Sequence, residues 1–166
     1  GAARTPCRIA IQDLFCLPLP GSRMTVRVRR VFEFDAPAEA VWDFISDPSK
    51  RADSISVVER YEIDEESGDA TWHVRLPIPF VKSTARVETS DIARDPPRHV
   101  KFVGKSSVLR VTGEHTVEAI EGGARLVNEF VVDGRVPGVE RFFERNLDAE
   151  LENLERALRQ AVESDA

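Results

Sequence analysis

Cysteine, methionine and lysine are scarce in this chain of 166 residues. It holds two cysteines, Cys7 and Cys16, both ahead of its one methionine, Met24. The chain after Met24 therefore offers no disulfide framework, no thiolate metal site and no thiol nucleophile, and a reducing cytoplasm is the expected compartment. Long apolar runs are missing as well. The run over residues 14–19 is short and interrupted by Pro18, which suits a secretion signal poorly, and nothing approaches the roughly 18 apolar residues of a membrane span. No stable membrane insertion is expected. A basic surplus is also absent: the net charge is −6, which disfavours a nucleic-acid partner because phosphate binding depends on a basic face. Neither a Gly-rich phosphate loop, nor a Gly-x-Ser-x-Gly elbow, nor a His-Glu-x-x-His helix occurs. The three histidines, His73, His99 and His115, share no metal-ligand spacing, so neither a metal nor a cofactor is expected.

What remains is an ordinary globular composition, 42% hydrophobic, at a length that suits one domain with a real core. A composition boundary falls near Met24. Residues 1–23 carry Arg4, Arg8 and Arg23 against Asp13, a net of about +2, which leaves about −8 for the rest. Residues 1–23 are read as an N-terminal extension outside the fold, and residues 24–166 as a single domain.

Within that domain the hydrophobic period changes twice. Val26, Val28, Phe32 and Phe34 alternate with charge, the period of a half-buried strand, and only Arg30 breaks the inner register. Pro37 then sits where a first helical residue belongs, and Ala38, Val41, Trp42 and Ile45 share one helical face until Asp47-Pro48 stops the run. A short second helical turn follows over residues 49–53. Alternation over residues 55–63 and again at Ala70, Trp72, Val74 and Leu76 predicts a hairpin. Val81, Ala85 and Val87 predict the next strand, Val100 and Phe102 another, and Leu109, Val111, Val117 and Ala119 a sixth. Gly122-Gly123 is read as the tip of a hairpin to a seventh strand with Leu126, Phe130 and Val132. From Val139 the period becomes helical: Phe143, Leu147, Leu151, Leu154, Leu158 and Ala161 recur at spacings of four and three, over about 25 residues and about 37 Å. Strand, helices, six strands and one long helix make a segregated α+β architecture. A small sheet closed by one long helix tends to leave a cavity between the two.

Two segments carry a family resemblance: Phe32-Glu-Phe-Asp-Ala-Pro-Ala-Glu-Ala-Val-Trp42 with Asp47-Pro48, and Leu147-Asp-Ala-Glu-Leu-Glu-Asn-Leu154. Here the chain resembles the SRPBCC superfamily, the START-like and polyketide-cyclase-like helix-grip domains, over residues 24 to about 162. The resemblance implies a curved antiparallel sheet of about seven strands wrapped around a long C-terminal helix, with one or two short helices after the first strand. For function it is broad, because the superfamily includes lipid carriers, cyclases and co-chaperone modules.

His115 falls in register with Leu109, Val111 and Val117, so it faces inward. With the tip at Gly122-Gly123 the register sets His115 opposite Phe130 and makes Asn128 its diagonal neighbour on the same face. Two readings of this pair stand side by side: a hydrogen-bonded structural pair, and a ligand-orienting or general-base imidazole. Arg30 either binds a ligand carboxylate or is carried to water by a bulge or by the strand edge. Trp42 and Trp72 are read as core or cavity wall. The expected ligand-binding set is thus Arg30, Trp42, Trp72, His115, Asn128, Phe130, Phe143 and Leu147, with His115 the one catalytic candidate. Three functions compete: a binder of a small hydrophobic molecule such as a lipid, quinone or polyketide-like compound; a cyclase or dehydratase using His115; and a protein-interaction module with a tightly packed interior. The oligomeric state is not read from the sequence.

Overall fold

The computed structural model of the protein describes residues 25–79 and 84–163; the expected extension over residues 1–23 and the inward placement of Val81 lie outside the described residues. The order is β1 (Thr25–Phe34), α1 (Ala38–Ile45), α2 (Pro48–Asp53), β2 (Val58–Ile63), β3 (Ala70–Val74), β4 (Ala85–Asp95), β5 (His99–Lys105), β6 (Leu109–Ile120), β7 (Gly123–Gly134) and α3 (Val139–Glu163). The strands form one antiparallel sheet in the order β1-β7-β6-β5-β4-β3-β2, curved around α3. This is the expected helix-grip arrangement. Because β1 and β2 are the opposite edges of the sheet, α1 and α2 carry the chain across it.

The short helices begin and end for local reasons. Pro37 is extended (φ −64°, ψ 149°) and caps α1 from just outside rather than forming its first residue. Val41, Trp42, Phe44 and Ile45 bury one face. Asp47 then starts α2, its carboxylate accepting from the Ser49 backbone N–H at 2.9 Å, with Pro48 as the first helical residue. Asp47-Pro48 is therefore both a stop and a start. The strand expected from residue 55 begins instead at Val58, and residues 54–57 form a connecting loop.

The β6–β7 hairpin turns one residue earlier than the sequence predicts. Ile120 pairs with Gly123 across a two-residue loop of Glu121 and Gly122, so His115 stands directly opposite Asn128 rather than opposite Phe130. The reason is a division of labour between the glycines. Gly122 takes the positive φ of the turn (+83°), whereas Gly123 sits in the ladder, where a Cβ would overlap the Phe34 carbonyl of β1.

α3 spans 25 residues as expected and buries Val139, Phe143, Leu147, Leu151, Leu154, Leu158 and Val162. Its last inward position is Val162, while Ala161 is exposed. A spacing of four from Leu158 keeps the stripe on the concave face better than a spacing of three. Leu158 is completely buried, so Leu158→Ala is expected to cost about 2–5 kcal/mol and Ala161→Ser no more than about 0.5 kcal/mol. Urea unfolding of the two variants checks the assignment of the helix face.

Candidate functional site

Between the concave sheet and α3 lies an apolar cavity. Its floor comes from β3, β4, β5, β6 and β7 through Trp72, Val87, Phe102, His115 and Phe130, and its roof from Phe143, Leu147, Leu151 and Leu154 of α3. Ile45 and Arg51 close it on the side of α1 and α2, and Ile55, Val57 and Val58 close it at the loop entering β2. The space open to the centre of a water-sized sphere is about 60 Å³, while all the space between the walls, mouth included, is about 750 Å³. The cavity is therefore slender and reaches solvent. A second, shallower depression over Phe34, Ile120 and Arg159 is a surface dent bordered by Glu33, Asp35, Glu121 and Glu163.

Five of the expected site residues, Trp72, His115, Phe130, Phe143 and Leu147, line this cavity together. Three do not. Asn128 lies fully buried behind His115, and Trp42 is a core residue of α1 with the Arg94 guanidinium 5.6 Å over its ring. Arg30 is exposed on the edge strand β1, where it pairs with Asp148 of α3. Its strand runs in unbroken register with β7, so the edge and not a bulge carries it outward.

His115 is held in one tautomer by its partner. The Asn128 side-chain amide donates to the Arg30 carbonyl at 3.3 Å, which turns Oδ1 toward His115, and the imidazole Nδ1–H donates to that oxygen at 2.8 Å. Nε2 is then a bare acceptor, and no group among the described residues satisfies it. Burial pushes the imidazole pKa down to about 3, against the opposing effect of the Asn128 hydrogen bond. His115 is neutral at physiological pH. Aromatic rings fix its plane: Phe102 stacks at 6.2 Å between centroids and Phe130 meets it edge-on at 5.5 Å. Gly113 lies opposite Phe102 and leaves the room that this ring occupies, since a Cβ there would overlap it.

Two polar residues of the cavity escaped the sequence reading. Arg51 of α2 is 5% exposed, donates to the Ile45 carbonyl at 3.0 Å and to Asp91 at 2.7 Å, and lies 5.1 Å over the Phe102 ring. Burial lowers its pKa and Asp91 opposes that effect. Asp91 also accepts from Arg94 at 2.9 Å. The signal for Arg51 was Asp91 itself, which continues the inward register of Ala85, Val87 and Thr89 and needs a cation there. The second residue is Glu150, 7% exposed. It falls three residues after Leu147 and four before Leu154, on the helix stripe rather than beside it. Arg51 Nε, Trp72 Nε1 and His115 Nε2 are the buried side-chain polar atoms left without a partner among the described residues, and all three residues line the cavity. His73 and His99 pair with Glu62 and Glu114 away from it. No group of metal-ligating side chains occurs among the described residues, and no helix there is long and apolar enough to cross a membrane.

The profile of the family described as polyketide cyclase / dehydrase and lipid transport matches residues 25–159. The chain belongs to this family. Solved structures of the same fold include a conserved protein from Geobacillus kaustophilus (17% identity, TM-score 0.65, 81% of this chain and 93% of that one). The Zhui aromatase/cyclase from Streptomyces sp. R1128 is similar at 21% identity and TM-score 0.62, over 82% of this chain and 96% of that one. Ara h 8.0201 is similar at 13% identity and TM-score 0.62, over 85% of this chain and 99% of that one. Among curated proteins no significant match was found. At these identities the neighbours show the helix-grip fold, and the family covers both binding and catalysis.

The buried imidazole makes stability depend on pH. Its folded pKa lies below the unfolded value of about 6.5, so the unfolded chain binds the extra proton in between. His115 therefore leaves stability undiminished above about pH 6.5 and lowers it by up to about 1.4 kcal/mol per pH unit toward about pH 3. Denaturation between pH 7 and 4 is expected to show a shallower decline for His115→Gln than for the wild type, and nitrogen NMR a ring still neutral at pH 5.

Proposed function

We propose that this member of the family binds a small, flat, apolar molecule carrying a hydroxyl group in the cavity under α3, as a binder rather than a catalyst. The observation that carries the reading is the set of three unpartnered polar atoms on otherwise apolar walls. His115 Nε2 can only accept, while Trp72 Nε1 and Arg51 Nε can only donate. A ligand hydroxyl does both, donating to the imidazole and accepting from one of the others. A pure hydrocarbon leaves all three unsatisfied. The rings of Trp72, Phe102 and Phe130 favour a planar body, which fits a polyketide-like compound or a hydroxylated lipid better than a saturated chain. With neither a metal nor a cofactor in its expected chemistry, such a protein suits the cytoplasm that its cysteine usage implies.

The open Nε2 lone pair also supports a second reading, a cyclase or dehydratase in which His115 removes a proton. Against it stands basicity: a base with a pKa of about 3 is far from the value near 7 at which proton abstraction is efficient. The slender cavity speaks against the third reading, a module with a filled interior.

2-Naphthol is expected to bind more tightly than naphthalene, by a factor of about 2 to 12 for one net hydrogen bond. Trp72→Phe and His115→Leu should each shrink this preference while leaving naphthalene affinity nearly unchanged, read by fluorescence titration. Equal affinity of the wild type for both compounds would overturn the hydroxyl reading. If His115 is a base instead, His115→Gln lowers turnover of the true substrate by roughly 10²–10⁴ with binding intact.

A further inference from the structure

Glu150 is the one buried carboxylate among the described residues, and no cation pairs with it there. A buried charge needs hydrogen bonds in place of water. Both of its oxygens accept from Ser56, at 3.1 and 3.1 Å from the backbone N–H and at 2.8 and 3.0 Å from the hydroxyl, and Oε1 also accepts from Asn153 at 3.0 Å. Asn153 belongs to the same helix. The bonds to Ser56 are therefore what ties α3 to the loop between α2 and β2, and the hydrogen bonds that the described residues show between that loop and α3 are all made to this one carboxylate.

The position of this clasp gives it a consequence. Ile55, Val57 and Val58, on either side of Ser56, line the cavity and are only half-buried, so the loop forms its outer rim. The space inside, about 60 Å³, is small beside the roughly 300–1,000 Å³ of ligand pockets, so a ligand of any size has to move a wall to enter. The sheet floor is fixed by continuous ladders. Besides Glu150 the loop is held by the Val57 carbonyl accepting from Arg75 N–H at 2.8 Å, by turn bonds from the Ser54, Ile55 and Val58 N–H groups to the Arg51, Ala52 and Ile55 carbonyls, and by the Ser54 hydroxyl donating to the Lys50 carbonyl at 2.8 Å. All but the first of these lie within the loop or at its junction with α2, so Arg75 and Glu150 are its hydrogen-bonded ties to distant elements among the described residues. Opening it would exchange the Ser56 donors for water at a carboxylate that hydrates strongly. Loss of the bonds and gain of hydration oppose each other, which is the balance a two-state element needs.

We infer that the Ser56–Glu150 clasp is the latch of the cavity and that ligands enter and leave by release of the loop over residues 54–57. The gating role rests on the cavity being a ligand site; the clasp itself can be tested without one.

Hydrogen–deuterium exchange of the free full-length protein reads the clasp directly. Glu150→Gln and, separately, Ser56→Ala are expected to speed exchange at the Ser56, Val57 and Val58 amides roughly tenfold, with β6 and β7 amides as slow as in the wild type. Ser56 is exposed, so its variant keeps the test available if Glu150→Gln does not fold. Stopped-flow mixing of Ser56→Ala with N-phenyl-1-naphthylamine, an uncharged apolar fluorophore, reads the gate: association and dissociation should both accelerate by about the same factor, leaving Kd within about threefold. Unchanged exchange in both variants overturns the latch. Faster exchange with unchanged probe kinetics overturns its gating role, and so does faster dissociation alone, which would mark a lost ligand contact. If the wild type binds no probe while both variants still exchange faster, the cavity reading has failed and gating with it, and the clasp stands as a structural tie only.

Discussion

Everything in this protein depends on burying one stripe of a long helix against a concave sheet. Phe143, Leu147, Leu151, Leu154, Leu158 and Val162 are each nearly or fully buried by that contact. At about 1.5–3 kcal/mol per side chain the stripe contributes on the order of 10 kcal/mol, comparable to the whole net stability of a typical domain at about 5–15 kcal/mol. The helix cannot then be an accessory. The sheet curves to meet it, α1 and α2 bridge its edges, and the tight ends of β1 and β7 approach closely enough that Gly123 is the residue that fits.

The same contact creates the cavity. A straight helix and a curved sheet do not interdigitate along their whole length, and where they part the walls are Trp72, Val87, Phe102, Phe130 and Leu147. Apolar walls alone would make a dry void. Three polar residues enter this one with part of their hydrogen-bonding capacity unused, which is what supports the proposed role in recognition. Each is anchored from behind: His115 by Asn128, Arg51 by Asp91 and the Ile45 carbonyl, Trp72 by ring contact with Phe102. The anchoring fixes direction, and on the proposed reading the free atoms serve a ligand rather than one another. Anchoring also explains why His115 suits recognition better than proton transfer, because the burial that orients it removes its basicity.

Charge at the seam between helix and sheet follows the same logic at two depths. At the exposed end, Arg30 of β1 and Asp148 of α3 pair in water, where such pairs contribute roughly 0–1 kcal/mol. Deeper, Glu150 has no cation among the described residues and is satisfied by Ser56 and Asn153. A pair in water tolerates loss of either partner. A buried carboxylate held by one loop makes the closed position of that loop a matter of a few specific bonds.

The order of elements, the segregated α+β class and the inward face of His115 were legible in the sequence, because period two and period 3.6 are local consequences of backbone geometry; the helix-grip arrangement was legible through the family resemblance. Five cavity residues were legible for the same reason, since Trp72, His115, Phe130, Phe143 and Leu147 sit on faces that the period identifies. The β6–β7 register was not, because two adjacent glycines allow two turns and only the approach of β1 decides between them. Arg51 and Glu150 were missed although each carried a trace, an aspartate on an inner register for the first and a charge on the apolar stripe for the second. A charged side chain in a sequence shows neither its burial nor its partner; those belong to groups 40 residues away for Arg51 and 94 for Glu150. The sequence by itself thus determined which faces meet, since that is set by periodicity within each element. Which polar atoms are left open inside the cavity was decided only by the tertiary structure, since satisfaction of a hydrogen bond depends on what distant strands and helices bring within about 3 Å.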